Sequence, residues 1–587
     1  MFKLFKKFTK KQVLLIICSI LFVAFHVGIE LKIPDYMSKI TVLIQTEGSE
    51  LTDILEQGLI MVSCAFLSLL AAVIVGYFAA LLSASFSRKL RKDIFDKVSD
   101  FSMNEIKKFS TSSLITRTTN DVTQVEMFIA MGLQAMVKAP IMAVWAVSKI
   151  LDKSLEWSML TGGCVVVLLL TIICLMIIVL PRFEKVQKLI DRVNGVTREN
   201  VTGIRVIRAF NAEKYQEDRF DKVNSDLTNM QLFNQRCFAI MSPMMYIVMH
   251  ALTLGIYLIG AYLINGAGMV EKLTLFSNMV VFTSYGMHVI MSFLMLAMIF
   301  MMGPRVQVSA KRINEVLDEE ITIKDGNLDS SDVLEEGTIE FRNVSFKYPD
   351  ADEYVLKDIS FKVDKGETIA FIGSTGSGKS TLINLVPRFY DVTEGSILID
   401  GVNVKDYKLE ALHNKLGYVP QRAVMFTGTV SSNVSYGDNG KKKADKDKIK
   451  EAVKIAQGID FVEKMDKKYD SHIARGGTNV SGGQKQRLSI ARAIARDPEI
   501  YIFDDSFSAL DYKTDAVLRK ELKKYTKDAT SMIVAQRIGT IMNADKIVVL
   551  DKGKCVGIGT HKELLKTCEV YKEIALSQLS KEELDNG

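Results

Sequence analysis

Apolar and polar positions follow two regimes along this chain. From Val13 to about Gly303 the apolar residues run in long blocks, whereas from about Gly337 onward they alternate with charged residues at strand and helix periods. Six blocks reach the roughly twenty residues that a bilayer crossing needs: Val13 to Ile33, Ile60 to Phe86, Val125 to Ile150, Met159 to Leu180, Phe238 to Ile264 and Leu275 to Met302. The pattern predicts a multi-domain chain in which an all-α transmembrane domain of six helices, residues 1–303, precedes a soluble α/β domain, residues 337–587. Residues 304–336, acidic from Glu315 to Glu336, read as the linker.

Composition agrees with a membrane protein, since 587 residues at 48% hydrophobic are too many for one domain and too apolar for an ordinary soluble chain. Lys3, Lys6, Lys7, Lys10 and Lys11 precede the first span, and basic residues crowd the segments Ser87 to Gln124 and Pro181 to Arg236. By the positive-inside tendency those segments and both termini are expected in the cytoplasm. The first span shows no small-residue cleavage pattern and is expected to be retained. A net charge of +6 is small for this length, and the N-terminal lysines suit membrane topology better than nucleic acid. The seven cysteines, Cys18, Cys64, Cys164 and Cys174 in spans and Cys555 and Cys568 in the soluble domain among them, have no metal-ligand spacing.

The soluble domain carries the chemistry. Gly373-Ser374-Thr375-Gly376-Ser377-Gly378-Lys379-Ser380 sits between an apolar strand, Thr368 to Ile372, and a predicted helix, the context of a phosphate-binding loop. Its glycines let backbone N–H groups approach phosphate oxygens, Lys379 can reach the terminal phosphates, and Ser380 can hold Mg²⁺, with Thr381 beside it. The apolar run Ile500 to Phe503 ends in Asp504-Asp505 and supplies the matching carboxylates. A site for ATP with Mg²⁺ is expected.

Val480-Ser481-Gly482-Gly483-Gln484, followed by Lys485-Gln486-Arg487, resembles the signature of ABC ATPases. The resemblance extends to Tyr348 at the place of the adenine-stacking aromatic, Gln421 in Tyr418-Val419-Pro420-Gln421 at the Q-loop, and Ser508-Ala509-Leu510-Asp511 at the D-loop. It implies that Tyr348 stacks adenine and that Ser380, Gln421 and Asp504 serve Mg²⁺. It further implies head-to-tail pairing, in which ATP on one module's phosphate loop is capped by Ser481, Gly482, Gly483, Gln484 and Asp511 of another. The stretches Ser112 to Asp121 and Glu199 to Phe210 resemble the intracellular loops of ABC exporters, which end in short coupling helices.

Two residues depart from that family's pattern. Where it has a glutamate that polarises the attacking water this chain has Asp505, and where it has a histidine against the γ-phosphate this chain has Gln536. Aspartate is one methylene short for a base that must sit about 2.6 to 3.2 Å from its target, and glutamine cannot carry the charge or proton. The segment Ile473-Ala474-Arg475-Gly476-Gly477 also lacks the Glu-Arg pair that many exporters place before the signature. The expectation is the degenerate-site half of a heterodimeric, multidrug-type bacterial exporter. Asp505, Gln536 and Gln421 then fill weakened catalytic positions, and a second half-transporter supplies the competent ones. A homodimeric lipid or peptide exporter, and a nucleotide-sensing membrane regulator, stay open as alternatives.

For the transported molecule the sequence offers methionines: Met241, Met244, Met245 and Met249, then Met279, Met287, Met291, Met295, Met298, Met301 and Met302. Flexible thioethers suit a cavity for hydrophobic molecules of varied shape, and Phe276, Phe282, Tyr285 and Phe293 could join it; lipid contact or simple packing is the plainer reading. Ionisable groups inside spans cost about 2.5 to 3.5 kcal/mol at the bilayer centre, which singles out His26, Glu30, Lys138, His250 and His288. His26 and Glu30, four apart, share a helix face, and Lys138 is expected to pair with a carboxylate, snorkel, or meet an anionic lipid or substrate.

Overall fold

The computed structural model describes residues 2–46, 48–151, 155–329, 336–437 and 444–579. They form two compact units: Met1–Ser99 with Thr111–Glu319, and Asp100–Ser110 with Glu320–Gly587.

The first unit is helical throughout. After the short α1 (Phe2–Phe5), α2 (Lys10–Glu30) opens on a reciprocal cap in which Gln12 N–H donates to Thr9 Oγ1 at 3.3 Å and Thr9 N–H to Gln12 Oε1 at 2.9 Å. The chain then continues through α3 (Lys32–Gln45) and α4 (Leu51–Ser99), passes through α5 (Met103–Phe109) in the other unit, and returns in α6 (Thr111–Thr116). A π-turn at Arg117–Asp121 leads into α7 (Val122–Leu151), followed by α8 (Leu155–Ala209), α9 (Glu213–Gly266) and α10 (Met269–Asp318). Six helical segments among the described residues are long and apolar enough to cross a membrane, and each overlaps one of the six expected spans. At 1.5 Å per residue the 55-residue α8 is about 82 Å long, far beyond a hydrocarbon core of about 30 Å.

α10 runs straight through the first half of the segment expected to be linker, ending only at Asp318. Val306, Ala310, Ile313 and Val316 are fully buried on one stripe of it. Polar contacts fix the same stretch to the π-turn: Arg117 Nη1 lies 2.9 Å from Glu315 Oε2, and Ser309 Oγ donates to Asp121 Oδ1 at 2.8 Å. The remainder of the expected linker that is described joins the second unit, where Leu328 bridges to Tyr407.

Within the spans the core centres on Trp157, Phe282 and Tyr285, all fully buried. Gly260 lets α9 approach Met279 of α10 so closely that a Cβ there would lie 2.6 Å from its sulfur. The charged groups are paired: Lys138 Nζ lies 2.9 Å from Glu30 Oε2, with His26 Nε2 3.5 Å from the same oxygen, and Lys149 is 2.9 Å from Asp35. Lys138 thus takes the carboxylate expectation. His250 stands apart, exposed and stacked on Tyr246.

The methionines divide. Met241, with Ile172, Leu175, Met176 and Phe238, lines an apolar cleft between α8, α9 and α10, and Met244 and Met245 line an adjoining one. Met279 is packed in the core, Met291 and Met295 are exposed, and the side chains of Met298 and Met301 lie outside those described. Phe282 and Tyr285 belong to the core rather than to a cleft; Tyr285 Oη donates to Asp35 Oδ1 at 2.8 Å.

The second unit is built on two larger sheets and a small two-stranded one. Strands β1 (Ile339–Phe346), β2 (Leu356–Val363), β4 (Glu394–Ile399) and β5 (Val402–Asn403) form an antiparallel sheet in the order β2-β1-β4-β5. β3 (Thr368–Gly373), β6 (Leu416–Val419), β9 (Ile500–Asp504), β10 (Thr530–Val534), β11 (Lys546–Asp551) and β12 (Lys554–Gly559) form the other, ordered β12-β11-β3-β10-β9-β6 and parallel except at β12. β7 (Gly428–Thr429) pairs with β8 (His472–Ile473). The strands of the larger sheet are apolar on both faces because each face has its own core: Ile369, Phe371, Ile500 and Ile502 enter one, Ala370, Ile372, Tyr501 and Phe503 the other.

Candidate functional site

Four neighbouring parallel strands of the larger sheet end side by side, and each delivers part of the site. β3 runs into the loop 373–378, β9 ends in Asp504, and Gln536 and Gln421 follow two residues after β10 and β6. Strand register sets their relative heights, since Val534 stands opposite both Phe371 and Asp504, and Val419 opposite Phe503. Sites in parallel sheets lie at such carboxyl ends.

The loop closes on itself before α11 (Lys379–Leu385), with Ser377 N–H donating to the Ser374 carbonyl at 3.2 Å. Gly378 has to be glycine: its φ is +98°, and a Cβ would meet Leu356 Cδ2 at 2.7 Å. Lys379 Nζ donates to the carbonyls of Gly373 and Ser374, both at 2.8 Å, while Ser374, Thr375 and Gly376 are exposed and Ser377 is buried. Burial lowers the Lys379 ammonium below its ordinary value, against the pull of Asp505 and Asp504. A cation arched over successive backbone amides is an anion seat.

Ser380 Oγ donates to Asp504 Oδ1 at 2.9 Å, joining the loop to β9. Burial pushes the Asp504 carboxyl up, and the neighbouring Asp505 adds to the rise against the Ser380 hydrogen bond and Lys379. Asp505 itself sits in the left-handed region at φ +46°, held there by its N–H to the Val534 carbonyl at 3.0 Å. Its Oδ2 accepts from Gln536 Nε2 at 2.8 Å and from Gln421 Nε2 at 3.3 Å. Burial raises this carboxyl too, while hydrogen bonds from Gln421, Ser508 and Gln536 oppose it. All three residues expected at the catalytic positions therefore meet in one contact set.

Tyr348 lies half-buried just beyond β1, its hydroxyl 3.1 Å from Thr381 Oγ1. Phe346 and Tyr390 stand edge-to-face against it at 5.0 and 5.3 Å between ring centroids. Sequence reasoning missed Tyr390, although the Phe389-Tyr390 pair shortly after α11 was an available aromatic signal.

The signature residues lie elsewhere on this unit. Ser481 caps helix Gly482–Arg496, receiving Gln484 N–H at 3.3 Å while its own N–H donates to Gln484 Oε1 at 2.9 Å, and Ser481 and Gly482 are exposed. Among the described residues no hydrogen bond links Ser481, Gly482, Gly483 or Gln484 to the phosphate loop. Asp511 likewise spends its carboxylate on a cap, accepting from Thr514 N–H at 2.9 Å at the start of helix Tyr512–Tyr525.

Comparison with known proteins agrees with both units. The family model described as ABC transporter matches residues 356–508, and that described as ABC transporter transmembrane region matches residues 16–293. An uncharacterized ABC transporter ATP-binding protein of Mycobacterium tuberculosis is 37% identical over 551 residues, 92% of this chain and 93% of that protein. A Staphylococcus aureus protein with the provisional name multidrug export ATP-binding/permease protein is 34% identical over 513 residues, 85% of each chain. The solved structure of a bacterial Atm1-family ABC exporter with ATP bound shares the fold at a TM-score of 0.82, with 23% identity over 97% of this chain and 99% of that one. With its apolar helices, its phosphate loop and relatives aligned over nearly all of its length, this chain belongs to the ABC transporters, as a half-transporter joining one transmembrane domain to one ATP-binding domain.

Proposed function

We propose that this chain is the weak-site half of a two-chain, ATP-driven exporter, holding ATP on its own phosphate loop while hydrolysis proceeds mainly on the partner's. One observation carries the reading: the carboxylate at the water-polarising position is Asp505, and its Oδ2 already accepts from the amides of Gln536 and Gln421. An acceptor so engaged, on a side chain one methylene short, is poorly placed to take a proton from water. Gln536 donates a hydrogen bond but brings no positive charge toward a γ-phosphate.

Binding does not suffer in the same way. Gly373 to Gly378, Lys379 and Thr381 remain suited to the phosphates, and Tyr348 to the base. The oxygens of Ser380 and Asp504, with Gln421 nearby, are hard donors of the kind Mg²⁺ takes, and the ion when bound neutralises phosphate charge. The signature, Ser481 to Gln484, with Ser481 and Gly482 exposed, serves a nucleotide held by another module. Phe210 and Tyr215, at the turn between α8 and α9, are 78% and 68% exposed, which also favours docking onto a second chain.

The methionine-lined clefts among α8, α9 and α10 suit hydrophobic or amphipathic cargo. The Staphylococcus aureus relative's name points the same way. The basic cytoplasmic segments orient both termini and the ATPase domain toward the cytoplasm of a bacterial cell membrane.

The test is nucleotide identity at each site. The assembled transporter is loaded with a photoreactive ATP analogue, allowed about one turnover, and the nucleotide crosslinked near Lys379 is identified. ATP persisting there while ADP accumulates at the partner's loop is the expected result. ADP appearing equally fast at both contradicts the asymmetric reading.

A further inference from the structure

Lys107, on the short helix α5, touches the aromatic platform of the nucleotide site. Its Nζ lies 4.3 Å from the ring centroid of Tyr348 and 5.2 Å from that of Tyr390. Those two rings meet at 87°, so the ammonium sits in the corner between them. Both distances are within the range of a cation–π contact.

The seat of α5 is built. Glu105 is 2% exposed and accepts from Ser102 N–H at 2.7 Å and Thr322 Oγ1 at 2.8 Å. Phe101, just before the helix, and Phe109, its last residue, stack with ring centroids 5.8 Å apart, within the range of aromatic pairs. The whole segment Asp100–Ser110 belongs to the ATP-binding unit, although the chain reaches it directly from the second membrane helix.

We infer that Lys107 contends with the purine of ATP for the face of Tyr348, so that base stacking and the seating of α5 are thermodynamically linked. This rests on the reading of Tyr348 as the base platform. Stacking releases the ammonium from its corner, and α5 loses one of the contacts that hold it. Linkage is reciprocal: a nucleotide that loosens α5 is itself bound less tightly while α5 is held. A contact of this kind corresponds to about a two- to fivefold change in an equilibrium constant. The device reads the base and not the phosphates, which separates it from Lys379 and the loop.

The experiment compares two probes, Mg-ATP and Mg-tripolyphosphate, by calorimetric titration of the full-length chain in lipid nanodiscs. Lys107→Ala is expected to tighten ATP about two- to fivefold relative to tripolyphosphate, Lys107→Arg to restore the wild-type ratio, and Lys107→Ala in a Tyr348→Leu background to leave the ratio unchanged. Amide exchange of residues 103–109 should quicken with ATP but not with tripolyphosphate. A shift of both probes by one common factor would reduce Lys107 to a distant charge, and a selective weakening of ATP would mean that it supports the base; either overturns the inference. If the wild-type chain binds tripolyphosphate as tightly as ATP, Tyr348 is no base platform; if it binds neither, the nucleotide reading itself fails. Those two results sink the inference along with its foundation and are distinguishable from the first pair.

Discussion

Gln536 Nε2 donates to Asp505 Oδ2 across 2.8 Å, so the two residues expected at the weakened catalytic positions bind each other. On the proposed reading this pair stands where a base for water and a contact for phosphate would be needed, and it is partly self-satisfied. A competent general base contributes about 10² to 10⁴ in rate. Replacing Asp505 by Asn in the assembled transporter is therefore expected to change steady-state ATP turnover by less than about threefold, because little catalysis is there to lose. A hundredfold fall would identify Asp505 as a working base.

The raised carboxyls give the site an acid limb. Because Asp504 and Asp505 are held above the ordinary aspartate value of about 3.9, burial disfavours their ionised forms in the fold. The sign follows: they detract from folding stability as pH rises from that ordinary value through the raised one, and they contribute nothing below it. Mg-ATP binding has the opposite slope, since it requires the Asp504 carboxylate. Affinity measured from pH 7 downward should fall off at a higher pH than an unperturbed aspartate would give. A binding curve flat down to about pH 4 would exclude this.

Glu105 is the anchor of α5, and its loss should be felt locally. Burial raises its carboxyl, but hydrogen bonds from Ser102 and Thr322 outweigh burial and leave it below the ordinary value. The contribution of this group is accordingly present above the unfolded carboxyl's value and is lost as pH falls through the folded one. Glu105→Ala removes a helix cap and leaves partners unsatisfied, at a cost of about 1 to 2 kcal/mol. Amide exchange in residues 103–109 should accelerate about tenfold, in line with that energy, while exchange in β9 and β10 stays unchanged.

In the spans, Lys138 and Glu30 are a compensated pair at 2.9 Å. Lys138→Met leaves the Glu30 carboxylate without its ammonium partner, which costs about 3 kcal/mol where such a pair is buried. Glu30→Gln combined with Lys138→Met should recover most of the loss, because removing both charges removes the need for either. Thermal unfolding of the detergent-solubilised variants checks this. A double variant as unstable as the single one would contradict simple compensation.

Local patterns made much of this molecule legible. Each apolar block became helical, the first across α2 and the start of α3, because a span is decided by composition over twenty residues, and the phosphate loop was readable because glycine, lysine and serine stand close together between strand and helix. The end of α10 was misread since Glu315, Asp318 and Glu319 give the segment a linker's composition; the buried stripe Val306, Ala310, Ile313 and Val316 was the better signal. Lys107 was invisible, because 241 residues separate it from Tyr348 and no periodicity links them. The stretch 112–121, singled out for its likeness to an intracellular loop, is itself helical as α6 and the π-turn, and the short α5 precedes it at Met103–Phe109. Likewise the spacing of Asp505 and Gln536 along the chain gave no hint of their hydrogen bond, which depends on β9 and β10 being neighbours.

The central claim is that this chain's own site binds ATP but hydrolyses it slowly. Its most direct test is ATPase turnover of the purified chain alone and of the chain assembled with a partner half-transporter, each with and without Asp505→Glu. Turnover confined to the assembled pair, raised moderately by Asp505→Glu, is the predicted result. Brisk turnover by the lone wild-type chain would show that Asp505 and Gln536 suffice for catalysis, and would contradict the account.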